Sequence, residues 1–208
     1  MKKKVILSMA RSGSSNLAFA FKNFSSENIE QETSDGKTIG YKDIDNIDAS
    51  LLKLMAHDYT DYELNYIVCN HNTVLLYRKN RFERALSFAI GVETGIWQTI
   101  QTDESYKNLK IKIDKQNFLD RLKNQNDQEN RILDLYGKYQ TPIFVYEDIY
   151  FSNYNKRYDE LYRLNKILDS NLNIDDALKF LDPSVGKLND HSNIENLEEV
   201  VGWYNDAF

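Results

Sequence analysis

The residues whose types can do chemistry stand in two short polar runs. Arg11-Ser12-Gly13-Ser14-Ser15 follows the apolar stretch Val5–Leu7, and Arg78-Lys79-Asn80-Arg81 follows Thr73–Tyr77. In the first run a glycine lets the backbone curl close to a bound group. Ser12, Ser14 and Ser15 bring hydroxyl donors, and Arg11 brings a guanidinium fork that grips oxyanions in pairs. A helix starting there adds unpaired N–H groups and about half a positive charge. Together these make an anion seat. The plainer alternative is a capped helix start with a surface Arg, and the position directly after a first strand favours the seat. The second run places three cations in four residues, which suits a multiply charged phosphate. Its alternative is a solvated basic turn, with Arg81 and Arg84 paired to Glu83 or nearby acids. Neither run is a Walker A loop, which requires GxxxxGK[ST].

The elements that must hold these runs follow from periodicity. Val5–Ser8 reads as a buried strand and 14–24 as a helix, with Leu17, Phe21 and Phe24 on one stripe. Residues 25–49 are polar and read as irregular. Leu51–Met55 is a second strand with Lys53 inside it. Thr73–Tyr77 is the clearest strand, β-branched and apolar, as a parallel strand covered on both faces should be. A helix over 81–96 carries Phe82, Leu86 and Ile90. Residues 99–112 read as a loop. A long helix over 115–139, a strand over 142–146, an amphipathic helix over 155–170 and a short helix over 175–181 follow. Ser192-Asn193-Ile194-Glu195 fits a capping box opening a last helix. Strands alternating with helices predict an α/β fold, a three-layer sandwich around a central parallel sheet, in a single domain over 1–208. Ligands in such folds bind beyond the carboxyl ends of the strands, where both polar runs lie.

Composition limits the function. The chain has 208 residues, 41% hydrophobic and 28% charged, which is a globular balance. Lys plus Arg number 26 against 32 Asp plus Glu, a net charge of −6, which argues against a nucleic-acid binder. One cysteine, Cys69, excludes an internal disulfide and a cysteine zinc cluster, and three histidines lack metal-site spacing. No metal is expected. No apolar run is long enough to span a membrane, and the basic start MKKKVILS lacks a signal-peptide core, so a cytoplasmic location is expected.

The two runs, in this order, resemble those of sulfotransferases that use 3′-phosphoadenosine 5′-phosphosulfate (PAPS). The segment VLLYRKNRFERALSFAIGVETGIW is similar to the bacterial trehalose and carbohydrate members, including Thr94-Gly95 and Trp97. Phe144-Val145-Tyr146-Glu147-Asp148 is similar to the family's late Tyr-Glu-Asp segment. The match is direct over about fifty residues and looser over the rest. The chain departs from the family in the loop after Arg78, which has no proline and is one residue longer than in many members. It also lacks the basic C-terminal loop, for which Gly186–Asn193 is the substitute candidate.

The resemblance implies a P-loop-NTPase-like sulfotransferase fold and in-line transfer of a sulfuryl group from PAPS to a hydroxyl or amine, with a carbohydrate or glycolipid acceptor favoured. It implies that Arg11, Ser12, Gly13, Ser14, Ser15 and Asn16 hold the 5′-phosphosulfate, and that Arg78 and Ser87 hold the 3′-phosphate. Glu32, twenty-one residues after Arg11, takes the position of the general base in the 6-O-sulfotransferases. His57, just past the second strand, is the second candidate base, because imidazole is the side chain suited to proton transfer near neutrality. Lys53 would add charge toward the sulfuryl oxygens, or else is a solvated strand-edge lysine. Tyr77, Phe82 and Trp97 are candidates to stack on adenine or sugar, with Phe82 expected in the core, and Glu93 is a candidate substrate contact. The alternatives are a non-catalytic nucleotide-binding protein and a P-loop-like nucleotide phosphotransferase. The latter should carry a Gly-Lys-Ser/Thr loop and a strand-end Asp, and neither is found.

Overall fold

Five apolar segments form one sheet because their backbone groups can be satisfied only by one another once buried. They are β1 (Lys4–Ser8), β2 (Ile29–Gln31), β3 (Leu51–Met55), β4 (Asn72–Tyr77) and β5 (Ile143–Val145). The computed structural model describes residues 2–31, 38–95, 109–182 and 191–207. Every strand pair is parallel, in the order β2-β3-β1-β4-β5. Ser8 of β1 lies in register with Met55 of β3 and Leu76 of β4, and Tyr77 lies beside Val145 of β5, so these strands end along one rim.

The described residues form two compact units, Met1–Lys79 with Gln128–Leu181, and Asn80–Asp127 with Asp182–Phe208. The first holds the sheet and is a three-layer sandwich. On one face Ile6, Val74, Leu76 and Phe144 meet Leu17 and Phe21 of helix α1 (Ser14–Phe24). Helices α5 (Tyr146–Tyr150), α6 (Tyr154–Ile167) and α7 (Ile174–Phe180) add Ile149, Leu161, Leu164 and Ala177 to that layer. On the other face Val5, Leu7, Leu52, Leu54 and Leu75 meet Leu64 and Ile67 of α2 (Asp61–Asn70). Ile132 and Leu135, late in α4 (Lys115–Tyr139), complete that layer. Each such fully buried side chain contributes about 1.5–3 kcal/mol by leaving water.

The second unit packs α3 (Arg81–Thr94), the first half of α4 and α8 (Leu197–Asp206) around Leu86, Ile90, Phe118, Leu122 and Val200. Phe82 stands edge-on to Phe118 at 6.3 Å and to Tyr204 at 5.3 Å, half-buried against this core. Asn196 brackets Ile113, its carbonyl oxygen accepting from the Ile113 N–H at 3.0 Å and its amide donating to the Ile113 carbonyl at 2.9 Å. Arg84 is fully buried, and its Nε donates to Gln125 Oε1 at 3.0 Å.

Several expectations need correction. The polar stretch 25–49 contains edge strand β2 and a 3-10 turn, Ile44–Asn46. Helix α2 was not expected, although Thr60 and Glu63 form a reciprocal capping box ahead of it. The strand expected over 142–146 ends at Val145, and Tyr146 opens a short helix. No capping box forms at Ser192. Ile194 pairs with Ile111 in an isolated bridge, and α8 begins only at Leu197. Backbone pairing with Ile111 holds residue 194 extended, and this outweighs the local capping signal.

Candidate active site

Beyond the ends of β1, β3, β4 and β5 the chain turns into the next helix, and residues 9–13, 56–60, 78–79 and 146–150 there belong to the first unit. The β1–α1 loop turns sharply. Arg11 has φ 61 and Gly13 has φ 75, both left-handed, and only the glycine adopts that region without cost. Gly13 is the N-cap of α1 and makes no side-chain cap, and no acidic residue sits in the first turn. By contrast α2 is capped by Thr60 and α6 by Asn153. The first helical bond of α1 runs from the Leu17 N–H to the Gly13 carbonyl at 3.1 Å, so the N–H groups of Ser14, Ser15 and Asn16 stand ahead of the ladder. Such a terminus favours an anion.

The serines do not contribute alike. Ser12 is fully buried and its hydroxyl donates to the Met9 carbonyl at 2.7 Å. Its expected role as a hydroxyl donor to the anion is therefore corrected: it closes the loop from within. Ser14 is also buried, with Oγ 4.0 Å from the Met55 sulfur. Ser15 is half-buried and Asn16 exposed.

The second loop meets the first. Arg78 Nη1 donates to the Arg11 carbonyl at 3.3 Å, and the Arg78 guanidinium lies 4.7 Å from the centre of the Tyr146 ring. The Lys79 N–H donates to Glu147 at 3.0 Å, which ties the end of β4 to the start of α5. The Tyr146 ring also covers Gly13: a methyl group added there would sit 2.5 Å from Tyr146 Cε2. Behind it, 4.4 Å away, Tyr150 donates its hydroxyl to the Gly13 carbonyl at 2.8 Å. Burial pushes the Tyr150 phenol well above its usual range, so it stays a donor. The Tyr-Glu-Asp segment is marked in the sequence by likeness alone, and the packing of its Tyr146, with Tyr150 just beyond it, against the β1–α1 loop is visible only in the structure.

Lys53 is 7% exposed, one strand in from the sheet edge, and in register with Ile6, whose side chain faces α1. The alternative of a solvated edge lysine is overturned. His57 lies in the 3-10 turn Ala56–Asp58 with its side chain 41% exposed, Nε2 3.4 Å from Asp58. Tyr77 is packed partly against the core layer over α2. Ser87, half-buried, and Glu93, exposed, are on α3 and belong to the second unit. Glu32 and Trp97 lie outside the described residues, as does Gly186 to Asp190 of the substitute loop. Among the described residues no group of His, Cys, Asp and Glu comes together to hold a metal ion, and no helix is long and apolar enough to cross a membrane.

An all-parallel five-stranded sheet with helices on both faces, and a glycine-bearing loop leading from its central strand into a helix, places the chain among the P-loop-like α/β folds. The fold is similar to that of a solved sulfotransferase. The structure of mouse sulfotransferase SULT7A1 complexed with PAP matches with a TM-score of 0.54 at 11% identity, over 87% of this chain and 64% of that one. The chain thus spans about two-thirds of the length of that enzyme. No protein-family model matches the sequence, and no curated protein matches it.

Proposed function

We propose that the chain is a sulfotransferase that takes its sulfuryl group from PAPS and hands it to a hydroxyl or amine, with a carbohydrate or glycolipid as the favoured acceptor. The observation that carries this reading is the 3.3 Å contact of the Arg78 guanidinium with the Arg11 carbonyl. It joins two cation-bearing loops into one rim, as a donor with two separated anionic groups requires. The match to a PAP-bound sulfotransferase supports it.

The chemistry divides among the chain's own groups. The N–H groups of Ser14, Ser15 and Asn16, with Arg11, take the 5′-phosphosulfate end, and Arg78 takes a phosphate. The acceptor oxygen or nitrogen attacks sulfur as the bond from sulfur to the bridging oxygen breaks, and PAP leaves with that electron pair. Arg11 and the helix terminus stabilise the charge that gathers on the bridging oxygen. Lys53, directed to the α1 face, supplies positive charge toward the sulfuryl oxygens. The acceptor proton passes to a base, for which Glu32 and His57 are the candidates.

Thermal melting with PAP tests the reading. A ligand bound by the native state alone, at a hundred times its Kd, adds about 2.7 kcal/mol, roughly 5–10 °C for a chain of this size. No shift at millimolar PAP overturns the reading. Binding without transfer from labelled PAPS to a panel of sugars marks a non-catalytic nucleotide-binding protein instead. Ser87→Ala tests the second phosphate contact implied by the resemblance, with weaker PAP binding expected. Glu32→Ala should lose turnover and keep PAP binding if Glu32 is the base.

A further inference from the structure

Late in α4, Gln128 and Arg131 stand three residues apart and so share one face of the helix. Each reaches a different rim connection of the first unit. Gln128 Oε1 accepts from the Ala10 N–H at 3.2 Å, at the entry to the anion loop. Arg131 binds the connection between β3 and α2. Its Nε donates to Asp61 Oδ1 at 2.8 Å, its Nη1 to the Ala56 carbonyl at 3.2 Å, and its Nη2 to the Tyr59 carbonyl. Three donors of one rigid fork thus span residues 56 to 61, and His57 lies between the bonded carbonyls. A lysine cannot do this, since a compact ammonium has no planar spread of donors. Tyr59, buried beneath, donates its own hydroxyl to the Ile39 carbonyl at 2.8 Å, so the connection is held from both sides.

We infer that Gln128 and Arg131 are positioning residues that set the distance between the donor loop and His57. The inference rests on the sulfotransferase reading with His57 as the proton acceptor, and adds a role for α4 that the reading does not need. Gln128 fixes the donor side and Arg131 the acceptor side, so the two should fail differently. Loss of Gln128 loosens PAP. Loss of Arg131 leaves PAP in place and slows transfer, because a displaced base costs rate without costing donor affinity.

The test uses the full chain with Arg131→Gln, Arg131→Lys, Gln128→Leu, His57→Gln and the double variant Arg131→Gln/His57→Gln. Amide hydrogen exchange, PAP affinity and turnover with labelled PAPS and the sugar panel are measured on each. In Arg131→Gln and Arg131→Lys, exchange over 56–61 should rise about tenfold while that of β1 and β4 is unchanged. PAP affinity should stay within about twofold and turnover should fall about ten- to a hundredfold. On top of His57→Gln, Arg131→Gln should remove nothing more, as expected of a group that acts through another. Gln128→Leu should weaken PAP by about three- to tenfold. Unchanged exchange over 56–61 overturns the inference, and so do faster exchange throughout the sheet or losses that multiply in the double variant. Wild-type chain that neither binds PAP nor turns it over overturns the sulfotransferase reading and this inference with it. Wild-type chain that does both, with any of the contrary variant results, overturns this inference alone.

Discussion

The two ends of the sheet share one use of their cations and differ in the backbone they surround. At the amino end, Lys3 donates to the Ile47 and Ala49 carbonyls at 2.6 and 3.0 Å. Lys4 takes Glu27 and the Asp169 carbonyl, both at 2.6 Å. Those cations close the structure by satisfying carbonyls and a carboxylate of the chain itself. At the carboxyl end the backbone is bent into left-handed positions at Arg11 and Gly13, and α1 starts without a capping side chain. A parallel sheet makes this asymmetry unavoidable, because each crossover brings a helix N-terminus, and its N–H groups, to the same end. The carboxyl end is braced too, by Arg78 and Arg131, and adds to that bracing a helix terminus whose first N–H groups no side chain caps.

The contrast can be broken by substitution. The largest effect is expected for Gly13→Ala, which forces an alanine to φ 75 and drives its methyl into Tyr146 at 2.5 Å. The left-handed strain of about 1–2 kcal/mol and the overpacking of about 1–3 kcal/mol should lower the melting temperature and remove the PAP response together. Tyr146→Ala in the same chain should recover part of the stability, and no recovery would show the ring is not the obstacle. Next, Arg78→Ala should weaken PAP by about 10- to 100-fold in calorimetry, the loss of a charged hydrogen bond. Lys4→Ala, at the amino end, leaves the nearly buried Glu27 carboxylate without its cation and should cost about 1.5–3 kcal/mol in denaturant unfolding while leaving PAP affinity alone. An effect of Lys4 on PAP, or none of Arg78, would erase the distinction between the ends.

The smallest effect concerns His71, also at the amino end. Its side chain is 1% exposed, and burial holds its pKa below the ordinary value near 6.5, against the partial pull of Asp45 at 3.8 Å. The unfolded chain therefore takes up the proton first. Stability is full above about pH 6.5 and declines as pH falls from there toward the lower native pKa. His71→Gln should flatten that decline in melting temperature between pH 7.5 and 5.5. An unchanged slope would place the acid sensitivity elsewhere.

Much of the scaffold was legible because buried parallel strands write themselves as unbroken apolar runs. Leu51–Met55 and the helix Ser14–Phe24 coincide with their expected bounds, and β1 and β4 each gain one residue at the start. β2 was hidden because three residues, Ile29–Gln31, pair on one side only and carry two polar side chains. α2 announced itself through Thr60 and Glu63, a signal that went unread. At the site, the loops themselves were legible because strand-to-helix turns must lie at the carboxyl rim. What local sequence does not encode is which distant side chains set their shape. Tyr150 reaches Gly13 across a separation of 137 residues, and Arg131 reaches Ala56 across 75. Ser12 shows the same limit at short range: its type promised a ligand donor, and its burial made it an internal tie.

Among the described residues the outermost strands, β2 and β5, pair over three residues each. A row of open backbone groups that short offers another molecule little to zip onto, while the long apolar strands that would be dangerous are enclosed between them. Within the described residues both margins are blunted by their shortness, and lengthening the β5 margin with β-branched residues is a direct way to turn the protein into a chain that self-associates.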